Sequence, residues 1–329
     1  MRWATLWTVC TAVLLACRPT WAAAPPPEWA KKDIRAGIIG TDTSHVPAFV
    51  GILHSHPEWR VKVVAAFPGG SPDVPSSWNR VKEYAEDLQK KHNVEIVDTI
   101  EALCAKVDAV LIESVDGRPH LAQARPVFGA KKPLFIDKPF TASLEDAREI
   151  LKLSKESGVP FFSSSCVRFQ PEVARLRTNP GVGKLTRAQG SSPLSLEPHH
   201  PDLFWYGIHG VEALYTVMGR GCVSVTRQAE GDLDITTGKW ADGRVGIFRG
   251  VKKGDYHPLV KVWGSDGEAD TGKLGYSYNG LVEAIARFFQ TGECPIDPQE
   301  TLEIIEFMIA AQKSKERGGA EVTLEELRK

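Results

Sequence analysis

Six short apolar runs, each followed by a turn and a stretch of helical spacing, constrain this chain more than any other feature. They occupy residues 34–39, 61–67, 94–97, 108–112, 134–136 and 159–163. Little polar alternation interrupts them. Such strands need cover on both faces, which a parallel sheet between two layers of helices supplies. The intervening segments carry the helical pattern: Val46, Phe49, Val50 and Leu53 fall on one face, as do Val81, Tyr84, Ala85 and Leu88. Asp98 with Glu101 has the spacing of a capping box, and Ser143 with Asp146 caps a further helix that ends at Gly158. Strand and helix in alternation predict a doubly wound α/β domain over residues 33–163. Sheets of this kind take ligands at the carboxyl ends of their strands, where the strand order reverses. Gly40, Phe67, Glu113 and Asp137 stand at such ends.

Residues 164–329 read differently. Strand-like runs at 184–190, 222–230, 234–249 and 258–263 are joined by glycine and aspartate turns, and an amphipathic helix is predicted over 206–218. Two helices close the chain, the second opened by Asp297-Pro298, an acidic cap with proline at the first helical position. This half predicts an α+β domain with a mainly antiparallel sheet. One face of that sheet needs cover beyond its own helices, so a homodimer or homotetramer is expected.

Composition narrows the function classes. Forty Lys and Arg against 41 Asp and Glu leave no broad basic field for a nucleic-acid backbone. The first residues hold one Arg, an apolar run too short to span a bilayer, and Ala22-Ala23-Ala24 before three prolines. That is the pattern of a secretory signal peptide over residues 1–24, so export to the periplasm or the medium is expected. Leu14-Leu15-Ala16-Cys17 offers a lipoprotein signal as the less favoured variant. The mature chain keeps Cys104, Cys166, Cys222 and Cys294, with no spacing of a zinc pair; buried thiols rather than a disulfide framework are expected. His199, His200, Asp202 and His209 could ligate a metal on paper, but their spacing matches no metal site, and none is expected.

At Asp137-Lys138-Pro139, after the fifth strand, the chain resembles the Gfo/Idh/MocA dehydrogenases, which carry Glu-Lys-Pro there. Residues 107–112 before a helix at His120, Gly207-Ile208-His209, and the closing stretch 283–315 match in order. The resemblance implies a Rossmann domain, a carboxy-terminal substrate domain, and an NAD- or NADP-dependent oxidoreductase acting on a sugar or polyol-like alcohol. It implies Lys138 and His209 as catalytic residues. It implies cofactor contacts at Gly40, Thr41, Asp42, Thr43, Ser44, Ser114, His120 and Lys138.

Three departures accompany it. The glycine loop reads Gly40-Thr41-Asp42-Thr43-Ser44-His45, keeping only the first glycine; Asp42 adds bulk and charge where a pyrophosphate would lie. Phe67 and Gly69-Gly70-Ser71 replace the acid that receives a ribose, which leaves NAD against NADP open. Trp205 stands where the family often has Asp before the catalytic His. Glu212, three residues after His209, is expected to hold the imidazole. Glu113 either faces a ligand or caps the helix near His120, and Arg168 either faces substrate or forms an ion pair. Two rival readings stay open: a non-catalytic ligand-binding protein on a degenerate dehydrogenase scaffold, and an NAD-dependent glycoside hydrolase.

Overall fold

The strand–helix alternation folds into a six-stranded parallel sheet. The computed structural model describes residues 26–178, 180–254 and 256–329; the leader over 1–24, with Cys17, lies outside them. In chain order the first domain runs β1 (Ile34–Ile39), α1 (His45–Ser55), β2 (Val61–Phe67), α2 (Pro75–His92), β3 (Glu95–Ile96), α3 (Ile100–Lys106), β4 (Ala109–Ile112), α4 (His120–Gly129), β5 (Leu134–Asp137), α5 (Leu144–Ser157) and β6 (Phe161–Ser164). The strands lie in the order β3-β2-β1-β4-β5-β6, so the direction of winding reverses between β1 and β4. Every residue of β4 and β5 is buried, as expected of central strands covered on both faces.

The second domain follows as α6 (Pro171–Thr178), β7 (Leu185–Pro193), α7 (Gly207–Met218), β8 (Cys222–Glu230), β9 (Leu233–Trp240), β10 (Val245–Val251), β11 (Leu259–Gly264), β12 (Gly267–Asp270), α8 (Asn279–Thr291), α9 (Pro298–Glu316), β13 (Val322–Thr323) and α10 (Leu324–Arg328). Its seven strands are ordered β12-β11-β7-β10-β9-β8-β13. All neighbours are antiparallel except β10 and β7. Helix α7 lies so close to this sheet that a Cβ on Gly190 would fall 2.1 Å from the Gly210 carbonyl oxygen. The run 234–249 is two strands, broken by a turn at Asp242-Gly243. The edge strands β12 and β13 and helix α6 carry no signal that the sequence reading caught. Buried apolar residues of both domains form one continuous core.

Cys104, Cys166, Cys222 and Cys294 are free thiols, three of them buried. No helix among the described residues is long and apolar enough to cross a membrane.

Candidate active site between the domains

The carboxyl end of β5 delivers Asp137 and Lys138 to opposite duties. Asp137 is buried, and its Oδ2 lies 2.6 Å from Nδ1 of His45, the first residue of α1. His45 and Lys138 hold this carboxyl below its ordinary range despite its burial. The His45 ring stacks on Phe49 at 5.3 Å and meets Tyr278 at 4.8 Å.

Lys138 turns the other way. It is 8% exposed, its Nζ stands 5.9 Å from the centre of the Tyr206 ring, and it has no hydrogen-bond or ion-pair partner among the described residues. His209 enters from the first turn of α7, with Nδ1 2.7 Å from the Oγ of Ser165, which follows β6. The edges of Tyr206 and Tyr276 meet its ring at 5.7 and 5.3 Å. Burial, then the positive charges of Lys138 and His45, push His209 well below its ordinary pKa, so the ring is neutral near pH 7. Lys138 and His209 line the same pocket of about 270 Å³, together with Thr43, Ser44, Arg80 and Trp205.

Several expected partners are arranged differently. Glu212 does not hold His209. Its carboxylate takes Arg168 Nε at 2.7 Å, and Arg168 Nη2 lies 2.7 Å from Glu300 of α9, which makes a buried ion cluster behind the site. The spacing placed Glu212 on the correct helical face, but the pocket-side ring turns to Ser165 instead. His120 is fully buried, with its ring nitrogens against the Phe140 and Ser114 carbonyls, so it positions the β4–α4 loop and faces no ligand space. Ser114 exchanges hydrogen bonds with Gln123, likewise away from the pocket. Glu113 takes neither of its expected roles. Both its carboxyl oxygens are buried without a hydrogen-bond partner, and burial with Asp137 and Asp42 nearby raises its pKa well above the usual range. The histidines and acid that could have ligated a metal are dispersed. His199 pairs with Glu197, His200 with Asp116, and Asp202 with Arg227. No group of residues among those described is arranged to hold a metal ion.

The glycine turn departs furthest from expectation. Gly40 has φ +90°, and a Cβ there would lie 2.4 Å from Ser114 Oγ, so glycine is required. The amides that would cradle a pyrophosphate are engaged: Gly40 N–H donates to Phe67 O at 3.0 Å and Thr41 N–H to Gly69 O at 3.2 Å. Asp42 is buried, accepting from Ser77 Oγ at 2.5 Å and Val115 N–H at 3.1 Å. Burial pushes its carboxyl up to about 6, which still leaves negative charge there at neutral pH. The loop after β2 crosses over the turn and is fastened to the loop after β4: Ser71 Oγ donates to Asp116 at 2.6 Å, and Arg118 bridges Asp116 and Asp73. His200 of the second domain lies 3.0 Å from the same Asp116. Gly40, Thr41 and Asp42 therefore close the turn on the protein itself; only Thr43 and Ser44 of the loop reach the pocket. Gly40 and Thr41 offer no amides to a pyrophosphate, which leaves the amino terminus of α1 at Thr43 and Ser44 as the part of the loop that could meet an anion.

The sequence reading missed His45, Arg80, Ser165, Tyr206, Tyr276 and Tyr278. One signal was available: Asp137 and His45 both follow strands of the parallel sheet at its carboxyl edge, so an acid and an imidazole stand there with only β4 between their strands.

A parallel sheet whose winding reverses beside an antiparallel second domain is the architecture of two-domain dehydrogenases. Residues 34–165 match the Gfo/Idh/MocA oxidoreductase family, described by its NAD-binding Rossmann fold. Among solved structures the fold is similar to apo scyllo-inositol dehydrogenase of Lactobacillus casei (14% identity, 90% of this chain and 99% of that one, TM-score 0.75). It is similar also to myo-inositol dehydrogenase of the same organism, solved with NAD(H) and myo-inositol (17%, 88% and 96%, TM-score 0.71). An oxidoreductase of Thermotoga maritima gives 17%, 90% and 100%, with TM-score 0.72. At these identities the likeness is one of fold. No curated protein matches the sequence.

Proposed function

We propose that the pocket between Lys138 and His209 is an oxidoreductase site for a small sugar- or polyol-like alcohol. The observation that carries this reading is that a lysine from the end of β5 and a neutral histidine from α7 line one pocket. Its volume of about 270 Å³ lies just below the ~300–1,000 Å³ of usual ligand pockets. That suits a monosaccharide-sized molecule. Trp205, Tyr206 and Tyr276 offer apolar ring faces and edges beside polar groups, the mixture that a polyol presents in return. Two of the similar structures are inositol dehydrogenases, which supports the substrate class.

Lys138 Nζ donates to the substrate hydroxyl and stabilises negative charge as it develops on that oxygen. His209, with Nδ1–H donated to Ser165, presents Nε2 to take the hydroxyl proton, and the carbinol hydride would pass to a nicotinamide bound beside the pocket. Burial makes its neutral form available over the whole physiological range. The closed glycine turn favours a second reading, in which the pocket holds its polyol without oxidising it.

The test is to titrate purified protein with a polyol panel by calorimetry and to assay the same panel with NAD and with NADP. Nicotinamide reduction that disappears in Lys138→Ala supports oxidation. Polyol binding with no reduction supports the second reading. A panel in which nothing binds overturns both.

A further inference from the structure

We infer that the ligand of this pocket carries an anionic group, a carboxylate or a phosphate, held at Arg80. The inference rests on the polyol reading above and narrows its substrate class.

Four observations converge. First, Arg80, in the second turn of α2, lines the pocket half-buried and makes no ion pair or hydrogen bond among the described residues. Second, Lys138 stands deeper in the same pocket, more than nine-tenths buried and equally without a partner. Third, no Asp or Glu is among the lining residues. Asp137, next to the lining Lys138, has its Oδ2 on His45. Fourth, the amino-terminal ends of both α1 and α2 open here through Ser44 and Ser76, and neither N-cap residue, Ser44 or Val74, caps with its side chain, although Thr43 Oγ1 accepts from His45 N–H at 3.3 Å. Each end directs partial positive charge at the same space.

Arg80 and Lys138, neither with an ion pair or side-chain hydrogen bond among the described residues, and two helix amino termini face a space with no lining acid, which favours an anion. A buried cation left unpaired is costly, and a ligand anion removes that cost. Arg80 presents a planar fork that matches the two oxygens of a carboxylate or a phosphate. Lys138 is left to meet a hydroxyl of the same molecule. A sugar acid or a sugar phosphate has both groups within the span of one ring.

The experiment is calorimetric titration of the protein with glucose and galactose, their uronates, and their 6-phosphates, at low and high salt. An acid form is expected to bind at least about tenfold tighter than its neutral parent, the scale of one charge-assisted hydrogen bond. Salt should narrow the gap, and Arg80→Ala should remove most of it. Whether the uronates or the phosphates gain identifies the anion. Neutral sugars binding as tightly as both acid forms would overturn the inference and leave the polyol reading intact, as would an advantage that survives in Arg80→Ala. If no sugar of either kind binds, the polyol reading itself falls.

Discussion

Lys138 and His209 are separated by 71 positions in the chain, yet both could be placed beforehand. The resemblance at Asp137-Lys138-Pro139 and Gly207-Ile208-His209 marked them, and they stand just after a central parallel strand and in the first turn of α7. Lys138→Ala is expected to lower kcat/KM for an oxidised polyol by about a hundredfold or more, the usual scale for a positioned acid–base group. Steady-state kinetics on the best substrate checks it. Glu212 illustrates the limit of such reading. Helical spacing assigns a face but not the partner, and the partner, Arg168, arrives from a short 3-10 turn 44 residues upstream. Glu113 carries a separate prediction. Its folded pKa is raised well above that of the unfolded carboxyl. Above about pH 4.3 the unfolded chain releases this proton while the folded chain keeps it, so stability falls with rising pH by about 1.4 kcal/mol per unit across that window. Glu113→Gln removes this slope. Urea denaturation should find the variant equal to wild type near pH 4 and more stable than wild type near pH 8.

At the scale of elements, the six parallel strands were legible because burial on both faces leaves an uninterrupted apolar run. Edge strands β12 and β13 were not. They are four and two residues long and owe their existence to partners across the sheet. Nor could the sequence show that the loop after β2 lies over the glycine turn, since glycine and serine there are compatible with a phosphate cradle as well as with a plain crossing. Asp116 is the fastener of that crossing, accepting from Ser71 and pairing with Arg118 and His200 while fully buried. These partners hold its carboxyl far below the usual range. Asp116→Ala is expected to cost about 2 kcal/mol, because it removes the buried acceptor shared by Ser71, Arg118 and His200. Hydrogen exchange should show residues 68–74 losing protection first.

At the scale of the molecule, the second sheet keeps one face without helices. Along β10 the residues Gly246, Phe248 and Gly250 are buried while Val245, Ile247 and Val251 are only half-buried on the other side. Leu233 and Ile235 of β9 continue that row. Arg249, Thr237 and Lys239 interrupt this row, and a mixed, half-buried face of this kind is expected to meet a second copy of the chain. Light scattering at micromolar concentration should give twice the mass of one mature chain. Ile247→Lys, at a position opposite Thr237 and Gln189 in the middle of the face, should halve it while leaving the circular dichroism unchanged.

The continuous core has a consequence for how the molecule fails. Helix α9 packs on β8 of one sheet and on β6 and α5 of the other domain, and Arg148 of α5 donates to the Leu327 carbonyl at the far end of the chain. Neither half keeps its own interior when the other is lost, although chains of two domains commonly melt in two steps. Calorimetry should therefore record a single endotherm, and limited proteolysis should yield the uncut chain and small peptides without a stable half-length fragment between them.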